Sequence, residues 1–388
     1  MSREPLTEQA KAPRSILFIS RKYPPSAGGM EKLSYYITTN VARHVPSTII
    51  KWGRSQKWLP LFLPYALARA LWALATRPVD LIHMGDLALA PMGCFLRFVS
   101  RKPVVVNAHG LDVLYPNRLY QAIIPTCTSR LDHVICISEH TRQLCLERGI
   151  TAERTTVIPV GMDSAAFPLA LTQAEQDHWS HRWGLEPRPQ HLLVTVARLV
   201  PRKGVRFLAS EVLPLLLKQR RDWVYLIVGD GPERGAIEST LRANGLESMV
   251  RLLGRVADEE VCAAYAMADL FVMPNIPVAG DSEGFGLVTL EARAAGLPVV
   301  AAGLEGIGDS FLSSEDGVLV PPGDAEAFVA AIDSLLEVEL TMEARASRRR
   351  RVASVYDWEQ VTKRYLDVFQ AVCARRALST DSGGLQGD

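Results

Sequence analysis

Short apolar runs recur along the whole chain, and helical segments separate most of them. In the first half, candidate strands lie at residues 16–20, 48–50, 79–84, 103–109, 133–138 and 155–159. The second half repeats this pattern at residues 191–199, 223–229, 250–253, 269–274, 298–301 and 317–321. Continuous apolar runs are typical of buried parallel strands. The alternation therefore predicts an α/β fold with two domains, each built on a doubly wound parallel sheet.

The chain length agrees with two domains, because 388 residues exceed what one hydrophobic core usually supports. A polar, proline-containing stretch separates the two sets of strands and indicates a linker. The predicted divisions are a polar extension (1–14), a first domain (15–168), a linker (169–190), a second domain (191–357), a helix (358–376) and a disordered tail (377–388).

Composition excludes several classes of protein. Lysine and arginine number 43 against 42 aspartates and glutamates, a formal net charge of +1. This balance argues against a dedicated nucleic-acid binder. The six cysteines form no C-x-x-C pair, which indicates scattered thiols of a cytoplasmic protein rather than disulfides or a zinc site. The polar first fourteen residues argue against secretion.

The most apolar stretch, residues 59–75, is interrupted by Pro64 and Arg69. It falls short of the ~20 residues that a membrane span needs, so we expect no transmembrane segment.

One stretch, DSEGFGLVTLEARAAGLPVVAA (residues 281–302), joins a glycine-rich loop to a short helix and a buried strand. Gly284 and Gly286 permit close approach to a ligand, and free amides at the helix start favour an anion. Glu283 would repel that anion unless it accepts hydrogen bonds from neighbouring hydroxyl groups. Glu291 lies farther along the same helix. Two such carboxylates beside an anion site suggest a sugar on each side of a phosphate.

The segment EGFGLVTLEARAAGLPVVA resembles the nucleotide-sugar motif of retaining GT-B glycosyltransferases of family four. The resemblance implies that Glu283 contacts the donor sugar, that loop amides hold the sugar and phosphates, and that Glu291 binds the ribose hydroxyls. The implied donor-binding residues are Glu283, Gly284, Phe285, Gly286, Leu287 and Glu291. It also implies two Rossmann-like domains facing across a cleft, with a C-terminal helix crossing back to the first domain.

Two cations follow a strand in the segment ARLVPRKGV, namely Arg198 and Lys203. Arbitrary surface charges would be solvated. This spacing, however, resembles the R-x4-K element of the family, which binds the donor diphosphate and stabilises its departure. We expect Arg202, between them, to face solvent.

His109, in NAHG, follows a strongly apolar strand and should lie at the rim of the first sheet. A lone histidine is usually structural, but this position resembles the family histidine that contacts the donor sugar near the reaction centre. Gly28 and Gly29 are either tight-turn residues or part of the family loop near the donor phosphates. Glu139, after Ser138, is explained best by a helix cap.

The remaining implied donor contacts are backbone ones. Gly229 in a GDGP turn, with Gly254 and Arg255 after the next strand, corresponds to family turns near the base and diphosphate. Asp80 and Asp86 each stand alone among apolar residues, and no D-x-D pair is well placed. We therefore expect no metal and no cofactor, with the cations acting in place of a metal.

Residues 51–77 interleave aromatic and basic side chains, a combination suited to a membrane interface. For residues 63–75 a core-packed helix is an equal alternative. Our hypothesis is peripheral attachment to the inner face of the cytoplasmic membrane through residues 51–65. The basic run 348–351 either assists this attachment or is an exposed helix face.

Together these features predict a retaining glycosyltransferase that moves a hexose from a UDP- or GDP-linked donor to an acceptor hydroxyl. The expected acceptor is a lipid-linked or polysaccharide glycan precursor. No side-chain nucleophile is evident, so a same-face substitution is the implied route. A longer loop at 276–282 would reshape the sugar pocket. The alternatives are a nucleotide-sugar 2-epimerase of the same fold and a non-catalytic nucleotide-sugar-binding partner.

Overall fold

The computed structural model describes residues 12–26, 29–53, 58–281 and 283–381. These residues form two compact units. Unit 1 comprises the described residues up to Gly161 together with those from Trp358 onward, and unit 2 comprises Met162–Asp357.

Unit 1 contains six strands and six helices. Its strands are β1 (Ile16–Ser20), β2 (Ser47–Lys51), β3 (Leu81–Met84), β4 (Val104–Ala108), β5 (His133–Cys136) and β6 (Thr155–Val157). Its helices are α1 (Gly29–Ala42), α2 (Leu59–Thr76), α3 (Ala90–Ser100), α4 (Arg118–Thr128), α5 (Glu139–Leu146) and α14 (Trp358–Asp381).

The strands of unit 1 pair in parallel in the order β2-β1-β3-β4-β5-β6. β1, β3, β4 and β5 are fully buried, as expected for strands covered on both faces. The connections run outward from β1 and β3 in opposite directions, so the strand order reverses there. The loops at the carboxyl ends of these strands thus flank a topological switch point, where ligands bind in open α/β sheets.

The final helix, α14, returns the chain to unit 1 and confirms the predicted crossover. Trp358 stacks on Tyr36 with ring centroids 5.1 Å apart, and the Tyr365 hydroxyl accepts a hydrogen bond from Asn107 at 2.9 Å. The helix continues to Asp381, beyond residue 376 where we expected it to end. Residues 377–381 are therefore helical rather than a tail, and residues 382–388 lie outside the described part of the chain.

Unit 2 repeats the design with β7 (His191–Val196), β8 (Trp223–Val228), β9 (Val250–Gly254), β10 (Leu270–Met273), β11 (Val299–Ala302) and β12 (Gly317–Val320). Its helices are α6 (Gln173–Trp183), α7 (Val205–Phe207), α8 (Leu213–Gln219), α9 (Arg234–Ala243), α10 (Asp258–Met267), α11 (Leu287–Ala294), α12 (Ala325–Leu336) and α13 (Met342–Tyr356), and a π-helical segment, Leu208–Val212, joins α7 to α8.

The parallel order in unit 2 is β12-β11-β10-β7-β8-β9. Here the order reverses between β7 and β10, so the turns after these two strands flank the second switch point. The predicted α/β fold with two Rossmann-like sheets is confirmed.

The basic run on α13 anchors the C-terminus of α11. Arg349 donates to the carbonyl of Ala294 at 2.8 Å, and Arg348 donates to Gly296 at 3.4 Å. Arg345, which precedes the run, donates to Ala295 at 3.1 Å. Guanidinium groups suit these positions because the last carbonyls of a helix lack partners within it and carry partial negative charge. The run is thus largely structural, in contrast to both alternatives considered from sequence.

Helix α2 has the length and composition of a membrane span, which differs from the sequence expectation. Its length and hydropathy alone are weak grounds for such a span. Phe62, Ala66, Ala70 and Ala73 pack it into the core of unit 1. Moreover, α2 connects β2 to β3, and both strands belong to one sheet, so the connecting helix must lie on that sheet.

Candidate active site

The turn after β7 places Lys203 beside the chain that follows β10. Residues Pro201–Lys203 form one turn of 3-10 helix, and Gly204 follows with φ 64°. A Cβ atom at Gly204 would lie 1.8 Å from the carbonyl oxygen of Pro274, so only glycine fits. This close approach brings the turn after β7 against the segment that leads to Glu283.

Three side chains among the described residues contact a single carboxylate oxygen of Glu283. Lys203 and Arg202 both contact Oε2 of Glu283. The side-chain Nδ2 of Asn275 also donates to this oxygen, at 3.3 Å. The side chains of Glu283 and Lys203 are 14% and 11% exposed. Our expectation that Arg202 faces solvent was wrong: its Nε also lies 3.0 Å from Asp281. Inside a 3-10 turn, the neighbouring side chains of Arg202 and Lys203 can reach one partner.

Burial and neighbouring charges shift the pKa values of Glu283 and Lys203. Burial opposes ionisation of Glu283, but the nearby charges of Lys203 and Arg202 hold its pKa below the ordinary value of 4.5. Burial lowers the pKa of Lys203, and neighbouring Arg202 adds to this effect while Glu283 opposes it. Each side chain thus favours the charged form of the other, which is the basis of their ion pair.

The loop Gly284–Gly286 leads into α11, as the sequence predicts. Gly286 has φ 74°, and no described side chain caps the helix start. Phe285 is buried, with its ring 5.9 Å from that of Tyr356. Ligand contacts from Phe285 would therefore come from the backbone, and the amides at the start of α11, including that of Leu287, favour an anion.

Glu291 lies farther along α11. Its Oε2 accepts a hydrogen bond from the Tyr265 hydroxyl at 3.0 Å. Burial, with the charge of Glu291, raises the pKa of Tyr265 well above its ordinary value, so Tyr265 remains a donor. Val288, one turn before Glu291, lines a cavity of about 600 Å³ within unit 2.

This cavity collects several of the predicted donor-binding residues. Among the residues lining it are Arg198, Gly229, Asp230, Gly231, Arg255, Val256, Val261 and Val288. Its volume is in the range of small-molecule sites. Arg198 and Arg255 are exposed and lie at the carboxyl end of the sheet, beyond β7 and β9.

The glycines beside the cavity have a packing reason of their own. A Cβ atom at Gly229 would lie 1.9 Å from the carbonyl oxygen of Ala197, and the amide of Gly229 donates to Gly254 at 2.8 Å. These glycines let the ends of β7, β8 and β9 close on one another, whatever ligand is bound.

His109 directly follows β4 in unit 1 and is buried, with 6% of its surface exposed. Its Nε2 donates to the carbonyl oxygen of Gly85 at 2.8 Å, because that oxygen can only accept. Its backbone amide donates to Asp112 at 2.8 Å. Nδ1 is buried without a hydrogen-bond partner among the described residues. In the neutral ring, Nδ1 would therefore be the acceptor left for a ligand hydroxyl.

The first glycine-rich loop is described only in part, since Gly28 lies outside the described residues. Gly29 begins α1, and a Cβ atom there would meet no other heavy atom within 4 Å. Packing therefore does not explain this glycine, and space is available beside it. Ser138 caps α5 by accepting from Thr141, as expected, and Glu139 pairs with Arg142 at 2.6 Å.

The two aspartates that we considered isolated are both paired. Asp86 is fully buried and lies 2.8 Å from Arg21, while Asp80 lies 3.3 Å from Arg14 and 3.8 Å from Lys102. Each aspartate has apolar neighbours in the sequence but pairs in the fold with a cation from another segment. Within the described ranges, no group of three or more histidine, cysteine or acidic side chains is placed to hold a metal ion.

This chain is similar to known sugar transferases. Residues 190–338 match the family described as Glycosyl transferases group 1, and residues 17–166 match Glycosyltransferase Family 4. A phosphatidyl-myo-inositol mannosyltransferase from Mycobacterium leprae is 36% identical over 313 residues, covering 80% of this chain and 78% of the relative.

Two further comparisons extend over more of the chain. A GDP-mannose-dependent α-(1-6)-phosphatidylinositol monomannoside mannosyltransferase from Mycolicibacterium smegmatis is 27% identical, covering 83% of this chain and 89% of the relative. The crystal structure of Anabaena HepE with UDP has a TM-score of 0.72 at 21% identity, covering 92% of this chain and 100% of HepE. This structural likeness supports the GT-B fold. The chain belongs to the family-four glycosyltransferases and is a glycosyltransferase that acts on nucleotide sugars.

Proposed function

We propose that this protein is a retaining, metal-independent glycosyltransferase that moves a hexose from a UDP- or GDP-linked donor to a hydroxyl of a lipid-linked acceptor. One observation supports this proposal most strongly. The ion pair between Lys203 and Glu283 lies at the switch point between β7 and β10, where a nucleotide ligand is expected. The relatives named as GDP-mannose-dependent enzymes make GDP-mannose the first donor to test.

The diphosphate would meet positive charge from one side of this switch point. Arg198 and Lys203 both follow β7, and the uncapped start of α11 adds free amides. These groups neutralise the charge that grows on the diphosphate as it departs. Glu291 would accept hydrogen bonds from the ribose hydroxyls.

The sugar would be held by Glu283. Among the described residues, every donor to this carboxylate reaches Oε2 and none reaches Oε1, which supports Oε1 as the acceptor for sugar hydroxyls. The resemblance alone supports His109 of unit 1 as a sugar contact, with Nδ1 as the accepting atom. The bond from C1 to the phosphate oxygen breaks while the acceptor oxygen bonds to C1 on the same face. The departing phosphate oxygen takes the acceptor proton.

The proposed function is tested by offering the protein GDP-mannose, UDP-glucose and ADP-glucose with phosphatidylinositol vesicles. We expect transfer from one donor, with the anomeric configuration of the donor retained in the product by NMR. An inverted product would contradict the retaining route. Conversion of the donor into another nucleotide sugar without acceptor would instead favour the epimerase alternative.

Transfer should not depend on a divalent metal. Because Arg198 and Lys203 supply the positive charge at the diphosphate, we expect rates in excess EDTA to match those in its absence. Activity that is lost in EDTA and restored by Mn²⁺ would contradict this prediction.

An aromatic stripe supports attachment to a membrane. Trp58, Leu61, Tyr65 and Trp72 lie on one face of α2 and its start, and each is 48% to 58% exposed. Arg69 and Arg77 both lie 5.5 Å from the ring of Trp72. Aromatic rings with neighbouring cations suit the headgroup region of an anionic bilayer. The proposed surface thus extends beyond residues 51–65 into the later part of α2, and residues 54–57 lie outside the described ranges.

This surface gives a testable prediction. The double variant Trp58→Ser and Trp72→Ser should bind vesicles containing phosphatidylglycerol at least about tenfold more weakly, because burying one aromatic side chain contributes about 1.5–3 kcal/mol. Flotation measures this binding. Val338→Ser, which removes an exposed apolar side chain from unit 2, is the matched control. Wild-type protein that ignores these vesicles at low salt would refute membrane attachment.

A further inference from the structure

Arg202 connects the turn after β7 to the acidic loop after β10. Its Nε lies 3.0 Å from Oδ1 of Asp281, and its Nη1 contacts Oε2 of Glu283. Its carbonyl oxygen accepts a hydrogen bond from the amide of Ile276 at 3.1 Å. With 19% of its side chain exposed, Arg202 binds the loop at its beginning and at its end.

One cation would not be enough to balance the negative charge around Glu283 once a diphosphate is bound. Lys203 and Arg202 both contact its carboxylate, while Asp281 on the same loop is a second acid. A bound diphosphate adds further negative charge beside Lys203. If Lys203 turned to that diphosphate with no other cation present, the largely buried Glu283 would remain as an uncompensated anion.

The backbone of Glu283 is held by a separate contact. Its amide donates to the carboxylate of Glu305, which follows β11. Glu305 has φ 51°, in the left-handed region that costs a residue other than glycine about 1 kcal/mol or more. Such strain persists where surrounding contacts enforce it. The contacts of Arg202 with the carboxylate and of Glu305 with the amide together define one position for Glu283.

We propose that Arg202 is a positioning residue, which retains the Glu283 carboxylate against the donor sugar while Lys203 serves the diphosphate. This proposal rests on the proposed function. It assigns a different role to each of two adjacent cations, Arg202 and Lys203. Arg202 recognises no part of the nucleotide in this scheme. It acts through Glu283, so its removal should affect binding of the sugar more than binding of the nucleoside diphosphate.

Calorimetry with GDP and GDP-mannose tests this division without an acceptor, or with UDP and UDP-glucose if wild type uses that pair. Arg202→Ala should weaken binding of the nucleotide sugar at least about tenfold and binding of the diphosphate less than about threefold, since one charged hydrogen bond contributes about 1.5–3 kcal/mol. Lys203→Ala should weaken both. Arg202→Lys should recover part of the loss. Arg206→Ala is the matched control, because Arg206 is an exposed arginine on α7, shortly after this turn.

The pH dependence separates positioning from a general structural defect. Arg202, Lys203, Asp281 and Glu305 are the charged groups around Glu283. Removing Arg202 takes away one of the cations that lower the pKa of Glu283, so that pKa rises. Binding of the nucleotide sugar should then fail at a higher pH than in wild type.

Three results overturn the role of Arg202 while leaving the proposed function standing. They are equal losses of diphosphate and nucleotide-sugar binding in Arg202→Ala, an acidic limit that does not move, and affinity equal to that of Arg206→Ala. Wild-type protein that binds and transfers no nucleotide sugar refutes the proposed function and this proposal together.

Discussion

Replacing Glu283 with glutamine should lower kcat/KM by about a hundredfold to a thousandfold, the range for losing one preorganised charged contact in an active site. Glutamine keeps the shape of the side chain but removes the negative charge that Lys203 and Arg202 hold in place. The sugar then loses its charged acceptor, and the two cations lose their partner. Steady-state kinetics with the donor that wild type uses measures the effect.

The controls for this variant address folding and charge. Glu259→Gln removes an exposed carboxylate from α10 and should leave kinetics unchanged. The thermal unfolding midpoint of Glu283→Gln should show that the protein still folds. A folded Glu283→Gln variant that transfers sugar at a rate within twofold of wild type would remove Glu283 from the proposed site.

Replacing Asp316 with alanine should reduce the free energy of unfolding of unit 2 by about 3–5 kcal/mol. Asp316 and Arg293 are both fully buried and lie 2.9 Å apart. The aspartate also accepts from the amides of Leu312 and Ser313 at 2.8 and 3.2 Å. Removing Asp316 leaves the buried guanidinium of Arg293 without its counter-charge. Arg293 lies on α11, the helix that also carries Glu291.

Chemical denaturation measures this loss, monitored by tryptophan fluorescence, to which the buried Trp223 of unit 2 contributes. Glu343→Gln is the matched control, because Glu343 pairs with Arg350 on the surface and is 87% exposed. The Asp316→Ala midpoint should fall well below that of the control. Equal midpoints for the two variants would show that the buried pair contributes little.

Sequence periodicity was sufficient to predict the strands but not their ends. The predicted run 191–199 ends as a strand at Val196, although Leu199 and Val200 are still buried. Similarly, Val79 is buried but precedes β3. Apolar character reports burial, whereas a strand also requires a neighbour for its backbone hydrogen bonds.

The sequence predicts the part of the candidate site whose residues lie within one local segment. The loop and helix at 284–294 follow from glycine spacing and helix propensity within that segment. The contacts of Arg202 with Asp281 and Glu283 were not predictable, because they join residues about 80 positions apart. They depend on the close approach of Gly204 to Pro274, and no local pattern reports that approach. The same reason explains why Asp80 and Asp86 looked isolated.

We propose that cations following β7 bind a nucleoside diphosphate while Glu291 accepts hydrogen bonds from its ribose. A crystal structure of the protein with GDP or UDP bound measures this most directly. We predict phosphate oxygens within hydrogen-bond distance of Arg198 and Lys203, and a ribose hydroxyl donating to Glu291. A nucleotide bound elsewhere, with Lys203 still paired to Glu283 and the cavity beside Arg198 empty, would contradict the account.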